Sequence, residues 1–308
     1  MANYLIIGAG AIGSALAEEL ASGHHQVSVV SRRGSTSSNP FITSVSADAS
    51  DADRVTQLAT DCDAIFNCAN PAYHRWPTDW PPIANALLTA AEHSGAVLVT
   101  MSNLYPYGPP TGPMTPDSPF NATYEKALVR ATMWRDARSA HDAGRLRATE
   151  VRASDYIGPK SQGVMGQRAI PRVLAGKSCQ VLGNLDVPHS WSYTVDVART
   201  LVACAQNSEA WGRAWHVPTN VARTQRQVID DVADAAGVSR VKISSISPFV
   251  LRVMGLFSPV IRELPTTIYQ FTAPFVIDDT ATRQNLRLEP TPWDVVLKAT
   301  IAALTSAR

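Results

Sequence analysis

The sequence predicts an α/β fold in which helices cover both faces of a doubly wound parallel sheet. Strand-like and helix-like segments alternate along the N-terminal half of the chain, and a glycine-rich turn joins the first strand to the first helix. Of the 308 residues, 45% are apolar and 17% are charged, which is below the usual charged share of about 25% and suits a large buried core. The length exceeds the roughly 150 residues of one typical domain, so an appended lobe or a second domain is expected.

The first strand covers residues 4–7 and leads through the turn Gly8-Ala9-Gly10-Ala11-Ile12-Gly13 into a helix over 11–22. In this context the GxGxxG spacing is typical of a dinucleotide site of the Rossmann type. Gly8 permits a tight turn, Gly10 lets the backbone approach a pyrophosphate, and Gly13 lets the helix pack closely on the strand. We therefore predict that Gly8, Gly10, Ala11, Ile12 and Gly13 bind a cofactor, the alternative being a glycine turn without a ligand.

The end of the second strand, over 26–31, selects the cofactor in folds of this kind. An acidic residue there binds the ribose 2′-hydroxyl of NAD, whereas basic residues accommodate the 2′-phosphate of NADP. Here the chain reads Ser31-Arg32-Arg33, with two guanidinium groups and no carboxylate. NADP is therefore predicted over NAD, and the alternative is that Arg32 and Arg33 form a solvated loop.

Two further strands, over 42–47 and 64–67, flank a helix over 51–60. Asp48 follows the first of these strands and is placed to meet the adenine of the cofactor. The small turn Cys68-Ala69-Asn70 follows the second strand and can lie along the cofactor ribose. These four residues are therefore predicted to contact the cofactor.

The loop over 71–82 is aromatic and stiffened by prolines. It leaves the carboxyl end of a strand, where open α/β sheets bind ligands. Tyr73 and Trp76 are therefore predicted to form a wall of the substrate site. The alternative is that the aromatic side chains of this loop only cap the core.

A fifth strand, over 96–100, runs into Ser102 and Asn103, which we predict to contact the substrate. A sixth strand ends in a polar exit that contains Asp155 and Tyr156. We predict that Asp155 contacts the cofactor and that Tyr156 contacts the substrate.

The charge balance bears on the kind of partner. The chain carries 27 basic and 26 acidic residues, a net charge of +1, without long blocks of like charge, so a small-molecule partner is expected and neither a nucleic acid nor a membrane.

The four cysteines show neither CxxC spacing nor a metal-ligand pattern with histidine, so no metal site is predicted. The first strand begins almost at once, which predicts no signal peptide and a cytoplasmic protein.

Several motifs stand in a fixed order along the chain. They are the N-terminal GxGxxG, Ser102 followed by Tyr107-Gly108, Lys126, Arg152 with Gly158-Pro159, and the segment 191–198. This ordered set resembles the extended short-chain dehydrogenase/reductase superfamily, and more narrowly its NAD-dependent epimerase/dehydratase branch, over nearly the whole chain. The resemblance implies a nucleotide-binding domain over 1–160, joined by about 190–217, and a smaller C-terminal substrate lobe over 161–189 and 218–308.

The resemblance also implies a catalytic set. A serine holds the substrate oxygen, a tyrosine serves as acid or base, and a lysine four residues later lowers the pKa of the tyrosine and holds the nicotinamide ribose. Ser102 matches the serine and Lys126 matches the lysine, but Ala122 then stands at the position of the tyrosine. If Tyr124 is instead the tyrosine, Leu128 stands at the position of the lysine.

A substitute for the missing acid is therefore expected. Tyr107 is the first candidate, because it leaves the fifth strand in the same loop as Ser102, and Tyr124 is the second. The alternatives are that Tyr107 is a packing residue and that Lys126 is a surface lysine.

Together these features predict an NADP-dependent oxidoreductase that transfers hydride to or from a small or medium organic substrate. One alternative is an NAD-dependent sugar-nucleotide epimerase or dehydratase, and another is a non-catalytic NADP-binding redox sensor, which the broken tyrosine–lysine pair permits. Helices over 83–94 and 121–143 resemble the pair that extended members pack against a twin, so a homodimer is expected.

Overall fold

The computed structural model describes residues 1–34, 37–247, 250–251, 253, 256 and 263–306. Parts of the predicted lobe, within 248–262 and at 307–308, lie outside these residues. Within the described residues the predicted α/β fold with a doubly wound parallel sheet is confirmed.

The helices and strands alternate as the sequence predicts over the first part of the chain. The strands are β1 (Asn3–Ile7), β2 (Gln26–Ser31), β3 (Ile42–Ser46), β4 (Ala64–Asn67), β5 (Val97–Asn103), β6 (Arg147–Ala153), β7 (Asp155–Ile157), β8 (Cys179–Val181), β9 (Trp191–Tyr193), β10 (Ala214–His216) and β11 (Ile243–Ser245). The helices are α1 (Ala11–Ser22), α2 (Ala52–Ala59), α3 (Trp76–Ser94), α4 (Glu125–Asp142), α5 (Ile170–Leu174), α6 (Thr194–Gln206), α7 (Gln225–Ala236), α8 (Thr280–Leu286) and α9 (Trp293–Thr305). None of the helices in the described residues is long and apolar enough to cross a membrane.

In the described part of the chain, seven strands form one parallel sheet in the order β10-β6-β5-β4-β1-β2-β3. The chain first builds outward from β1 through β2 and β3, and then returns to the other side of β1 with β4. This reversal opens a crevice at the carboxyl ends of β1 and β4, which is where sheets of this kind bind ligands.

The central strands β1 and β4 are covered on both faces, and this explains why most of their residues are apolar. In β1, Tyr4 and Ile6 belong to the apolar cluster that α1 and α6 cover. Leu5 and Ile7 belong to the cluster on the other face, which α2, α3 and α4 cover. The side chains divide in this way because successive residues of a strand point to opposite faces.

A further apolar cluster lies away from the sheet, in the C-terminal part of the chain. It packs side chains of α5, α7 and α9 against the short strands β7, β8 and β9. At the start of α7, Thr224 Oγ1 accepts a hydrogen bond from the Gln227 N–H at 3.1 Å, and the Gln227 side chain accepts one from the Thr224 N–H at 2.9 Å. This reciprocal capping box fixes the residue at which α7 begins.

The helix α3 begins earlier than the sequence predicts. It starts at Trp76 rather than at residue 83, so the second half of the predicted loop 71–82 is helical. Pro77 stands in the first turn, where its fixed φ is suitable and its missing N–H is not needed. Trp76 and Trp80, four residues apart, are both buried in the core beneath the helix.

The fully buried Arg152 of β6 joins three parts of the chain. Its Nε donates to Glu150 Oε1 at 2.6 Å, and its Nη1 donates to the Tyr107 hydroxyl at 2.5 Å and to the Pro116 carbonyl at 2.9 Å. Burial opposes the charge on Arg152, but Glu150 and Tyr107 raise the pKa of its guanidinium above the ordinary value. Arg152 therefore stays charged inside the protein.

The network continues through His216 of β10. Its Nδ1 lies 2.9 Å from the Asp278 carbonyl, which can only accept, so Nδ1 carries the proton of the neutral ring. Its Nε2 then accepts a hydrogen bond from the Tyr107 hydroxyl at 2.9 Å. Burial, together with the nearby charge of Arg152, lowers the pKa of His216 to about 3.

We expect this histidine to make the stability of the protein depend on pH. The pKa of His216 is lower in the folded chain than the value of about 6.5 in an unfolded one, so its contribution to stability is present above pH 6.5 and is lost as the pH falls. The free energy of unfolding should decrease below pH 6.5, with a limit for this group of about 1.4 kcal/mol per pH unit. Denaturant titrations at pH 6.5 and at pH about 5 measure this slope, and His216→Gln should reduce it.

His93→Gln, which changes an exposed histidine of α3, is the matched control and should keep the wild-type slope. A slope that His216→Gln leaves unchanged would contradict the expectation.

Candidate active site

A cavity of about 650 Å³ opens at the carboxyl ends of the central strands. It begins at the glycine turn after β1, passes the ends of β2 and β4, and reaches the ends of β5 and β6. Of the residues predicted for the site, its lining includes Gly8, Gly10, Ala11, Ile12, Ser31, Arg32, Asp48, Cys68, Ala69, Asn70, Tyr73, Trp76, Ser102, Asn103, Asp155 and Tyr156.

The glycine turn has the shape that a dinucleotide phosphate requires. Gly8 has a φ of 112°, and a Cβ there would lie 2.5 Å from the carbonyl oxygen of Cys68. A Cβ on Gly13 would lie 1.8 Å from the carbonyl oxygen of Gly8, whereas a Cβ on Gly10 would meet no atom within 4 Å. The open space at Gly10 lies beside the N-terminus of α1, whose first N–H groups have no acceptor within the helix. The residues present therefore fit a bound dinucleotide.

The ends of β2 and β3 form the wall beyond the glycine turn. Ser31 and Arg32 line the cavity, and within the described part of the chain the buried Oγ of Ser31 has no hydrogen-bond partner. Asp48 accepts hydrogen bonds from the N–H and the Oγ of Ser50 at 2.9 and 2.8 Å, and these bonds, with Arg32 nearby, hold the pKa of Asp48 below its usual value. Arg33 is exposed and is not part of the cavity lining, so its position does not support the predicted contact with the cofactor.

The turn Cys68-Ala69-Asn70 forms the opposite wall. Burial raises the pKa of the Cys68 thiol to about 12, so this side chain is neutral and fills space as a small apolar group. Among the described residues, no three His, Cys, Asp or Glu side chains lie together as a metal site would require.

The far end of the cavity is formed by Ser102 and Asn103 of β5. Ser102 is 3% exposed, and its Oγ has no hydrogen-bond partner among the residues that the structure describes, so it can bind an oxygen of a ligand. Asn103 Oδ1 accepts a hydrogen bond from the Tyr105 N–H at 3.1 Å. Tyr73 and Tyr105, whose hydroxyl oxygens lie 3.5 Å apart, both line this end of the cavity.

Arg130 of α4 also lines the cavity and was missed by the sequence analysis. Its guanidinium carbon lies 4.6 and 4.2 Å from the ring centroids of Trp76 and Trp80, and its Nη1 donates to the Met101 carbonyl at 3.4 Å. Its Nε has no hydrogen-bond partner among the described residues. Burial lowers the pKa of Arg130 to about 10, so it remains charged at neutral pH. The sequence feature that could have identified Arg130 is its position four residues after Lys126, which places both side chains on one helix face.

Lys126 and Ala122 do not lie on the same helix, although the spacing that the resemblance implies would place them one turn apart. The helix α4 begins at Glu125 rather than at residue 121, so Ala122 lies in the preceding loop. Lys126 is buried rather than on the surface, and its Nζ donates to Glu263 at 2.5 Å and lies 4.5 Å from the ring centroid of Tyr73. Lys126 is behind the cavity wall and not among the residues that line it, so its predicted contact with the cofactor is not supported by its position.

The two tyrosines predicted as substitute acids lie outside the cavity lining. The Tyr107 hydroxyl is held by Arg152 and His216, and burial raises the pKa of Tyr107 to about 12. The Tyr124 hydroxyl lies 3.1 Å from that of Tyr269, and burial raises the pKa of Tyr124 as well. Both hydroxyls are bonded within the protein and lie away from the cavity, so their positions do not support the predicted acid role of either tyrosine.

Asp155 and Tyr156 enter the cavity wall from β7. The Asp155 carboxylate contacts the Nε2 of His189, a residue that the sequence analysis did not identify, at 2.9 Å. Burial raises the pKa of Tyr156, so its phenol is neutral. The C-terminal part of the chain adds Gln270 and Phe275 to the same wall.

Comparison with known proteins identifies the relatives of this fold. Residues 4–217 match the family model described as the NAD dependent epimerase/dehydratase family. A search of the curated proteins finds no match.

Several solved structures are similar over essentially the whole chain. DesIV, a dTDP-glucose 4,6-dehydratase from Streptomyces venezuelae solved with NAD, is 18% identical, with 97% of this chain and 96% of that chain covered and a TM-score of 0.78. A UDP-N-acetylglucosamine 4-epimerase from Methanobrevibacter ruminantium, solved with UDP-N-acetylmuramic acid, is 16% identical, with 100% and 99% covered and a TM-score of 0.83. A UDP-glucose 4-epimerase from Thermotoga maritima, solved with UDP-glucose, is 16% identical, with 99% of each chain covered and a TM-score of 0.80. At these identities the likeness establishes the fold.

Proposed function

We propose that this chain, which belongs to the NAD-dependent epimerase/dehydratase family, is an NADP-dependent oxidoreductase that transfers hydride to or from a small or medium organic substrate. The observation that supports this function is one continuous cavity, which joins the glycine turn to the buried, unpartnered Oγ of Ser102. One end of the cavity suits a phosphate, and the other end suits an oxygen that gains charge during a reaction.

A bound nicotinamide supplies or accepts the hydride, and the chain supplies the groups that hold the substrate oxygen. Ser102 donates a hydrogen bond to that oxygen. Arg130 takes the part that the family resemblance gives to the lysine: its charge lies in the cavity, and its unpartnered Nε is available to the ribose of the cofactor. A fixed, buried cation on the cavity wall also stabilises negative charge on the substrate oxygen.

We expect Arg130→Met to weaken NADPH-dependent reduction of a panel of simple aldehydes and ketones. The loss of one charge-assisted hydrogen bond is worth about 1.5–3 kcal/mol, so kcat/KM should fall about 10- to 150-fold. Consumption of NADPH, followed by its absorbance, measures the rate, and Arg130→Lys should recover part of the loss because it keeps the charge.

The control for this variant is Arg138→Met on the same helix, where Arg138 pairs with Asp142 at 2.7 Å on the surface. It should behave as the wild type. Unchanged kcat/KM in Arg130→Met would refute the assigned role of Arg130. A wild type that binds NADPH but reduces no member of the panel would favour the redox sensor.

We infer NADP as the cofactor from the end of β2. Arg32 lines the cavity beside the unpartnered Ser31 Oγ, and the sequence has no carboxylate between Ser31 and Asp48. Arginine and serine are suitable donors for a 2′-phosphate. The solved relatives named with NAD weigh against this choice, and Asp48 is the carboxylate of this cavity that would favour NAD.

Fluorescence titration with the two nucleotides tests this inference. We expect tighter binding of NADP than of NAD, and Arg32→Ala should weaken NADP binding about 10- to 150-fold, the effect of about 1.5–3 kcal/mol, with little change for NAD. Arg33→Ala is the matched control, because the Arg33 side chain does not line the cavity. It should weaken NADP binding less than Arg32→Ala does. Equal or tighter binding of NAD, unaffected by Arg32→Ala, would overturn the choice of NADP.

A sugar-nucleotide epimerase or dehydratase is the second candidate function. The likeness to enzymes of that kind covers the C-terminal part of the chain as well as the sheet, and thus includes the wall that holds Gln270 and Phe275. Conversion of UDP-glucose or dTDP-glucose without net change in the nicotinamide cofactor would favour this function over net oxidation or reduction.

We propose a homodimer that forms through α3 and α4, as the family resemblance implies. Leu128 of α4 is 45% exposed, so an interface through this helix would bury a large apolar side chain. Light scattering at micromolar concentration should give twice the mass of one chain, and Leu128→Glu should give a monomer. Val295→Glu on α9, where Val295 is 43% exposed, is the control and should remain a dimer. A monomeric wild type would rule out the proposal.

A further inference from the structure

We propose that Asp155 and His189 share a proton and act together as the acid and base of the cavity, an inference that rests on the proposed function. Asp155 is the catalytic residue, because its carboxylate lies on the cavity wall. His189 is a positioning residue that acts through Asp155. The pair takes the place of the tyrosine that the family motif lacks in this chain.

Both ring nitrogens of His189 face hydrogen-bond acceptors. Nδ1 lies 3.0 Å from the Gln270 carbonyl oxygen, and Nε2 lies 2.9 Å from Asp155 Oδ2. A carbonyl oxygen only accepts, so Nδ1 carries a proton. A lone pair on Nε2 would then face a carboxylate lone pair at 2.9 Å, and a second proton between these two atoms removes that repulsion. Ser154 Oγ, at 3.3 Å from Nε2, is a longer and weaker partner.

The surroundings of His189 confine that proton. The ring is 1% exposed and stacks on Phe271, with centroids 5.0 Å apart and planes 8° apart, while Phe275 and Trp191 lie 5.3 and 4.7 Å away. Aromatic faces stabilise a charged ring, and the low local dielectric strengthens its bond to the carboxylate. The Asp155 side chain, by contrast, is 37% exposed. The shared proton therefore reaches the cavity through Asp155.

The register of the sheet places Asp155 near the substrate end. Asn103 of β5 pairs with Ala153 of β6, and Asp155 follows two residues later, beyond the end of β5. Ser102 and Asp155 line the same cavity. A substrate oxygen bound by Ser102 is thus in the region that Asp155 borders.

Three phenols face the Asp155 carboxylate. Tyr73, Tyr105 and Tyr156 each interact with its charge, and burial is the main cause that raises the pKa of each. They are therefore neutral near pH 7, so they do not act as bases there, and the raised pKa makes each a weaker acid than an ordinary phenol. Asp155 is the acidic group that the cavity offers at this end.

The charged groups around the pair are mostly balanced by their own partners. Glu263, which faces Tyr73, pairs with Lys126 at 2.5 Å, and Arg223, whose backbone meets that of His189, pairs with Asp231 at 3.1 Å. Arg130 remains as a cation beside Tyr105 and Tyr156. A cation there favours the negative charge that Asp155 carries after it has given up the proton.

The proton balance of the reaction follows from this arrangement. In reduction, the carbonyl carbon gains a hydride from the nicotinamide cofactor of the proposed function, and the carbonyl oxygen gains the shared proton through Asp155. The new O–H bond forms as the bond between that proton and the pair breaks, and the pair regains a proton from solvent. In oxidation, Asp155 accepts the hydroxyl proton as the hydride leaves.

Nitrogen-15 NMR of protein with labelled histidine tests the shared proton without any turnover. His189→Gln assigns the His189 signals. In the wild type at neutral pH we expect both ring nitrogens to be bonded to, or to share, a proton. In Asp155→Asn we expect one protonated nitrogen, because an amide N–H can donate to Nε2. Asp294→Asn, which changes a surface carboxylate paired with Lys298, is the control. A His189 spectrum that Asp155→Asn leaves unchanged would overturn the inference.

The catalytic role is tested with the same variants and the carbonyl panel. Asp155→Asn should lower kcat by about 10²–10⁴-fold and leave KM and NADPH affinity near the wild type, since a positioned acid acts on the transition state. Circular dichroism checks that the variants fold.

The outcomes separate the two proposals. A kcat near the wild type in Asp155→Asn overturns the acid role while the proposed function stands. A wild type that shows the shared proton but reduces no carbonyl overturns the proposed function, and the acid role with it.

Discussion

The buried guanidinium of Arg152 is the constraint on which the arrangement of the site depends. A cation removed from water is unfavourable by several kcal/mol unless a carboxylate and other acceptors replace its hydration. Glu150 of the same strand supplies the carboxylate, and Tyr107 and Pro116 of the long loop after β5 supply the other acceptors. That loop must therefore return to the edge of the sheet for β6 to be buried. Because β6 leads within two residues to Asp155, the same interaction fixes where Asp155 lies in the cavity wall.

The C-terminal part of the chain is tied to this network and to the sheet. Thr282 Oγ1 donates to the carbonyl of His216 at 2.6 Å, so the start of α8 is held at the end of β10. On α6, the buried Asp196 accepts hydrogen bonds from the N–H and the Oγ1 of Thr291 at 2.8 and 2.6 Å. These contacts join residues far apart in the sequence, and they place Gln270 and Phe275 against a cavity whose other walls come from the N-terminal half.

Much of the fold, but less of the site, could be predicted from local sequence. The glycine turn and the strands are recognisable because turn geometry and side-chain alternation depend on a few consecutive residues. The prolines near Trp76 indicated a loop, although Pro77 is acceptable in the first turn of α3. The partner of the Tyr107 hydroxyl could not be predicted, because it is His216, 109 residues away. His189 shows no local motif, since its partners Asp155 and Gln270 are 34 and 81 residues distant.

The clearance inside the glycine turn limits how this protein can vary in evolution. An added methyl group on Gly13 would overlap the carbonyl oxygen of Gly8, and one on Gly8 would meet the backbone at Cys68. Both positions are therefore closed to substitution by packing alone, whichever nucleotide is bound. The exposed Arg32 is under no such restriction. A lineage with this fold can therefore change its nucleotide preference by substitutions in the surface loop after β2. Glycines at positions 8 and 13 then reflect how α1 packs on β1 and do not indicate which nucleotide the protein binds.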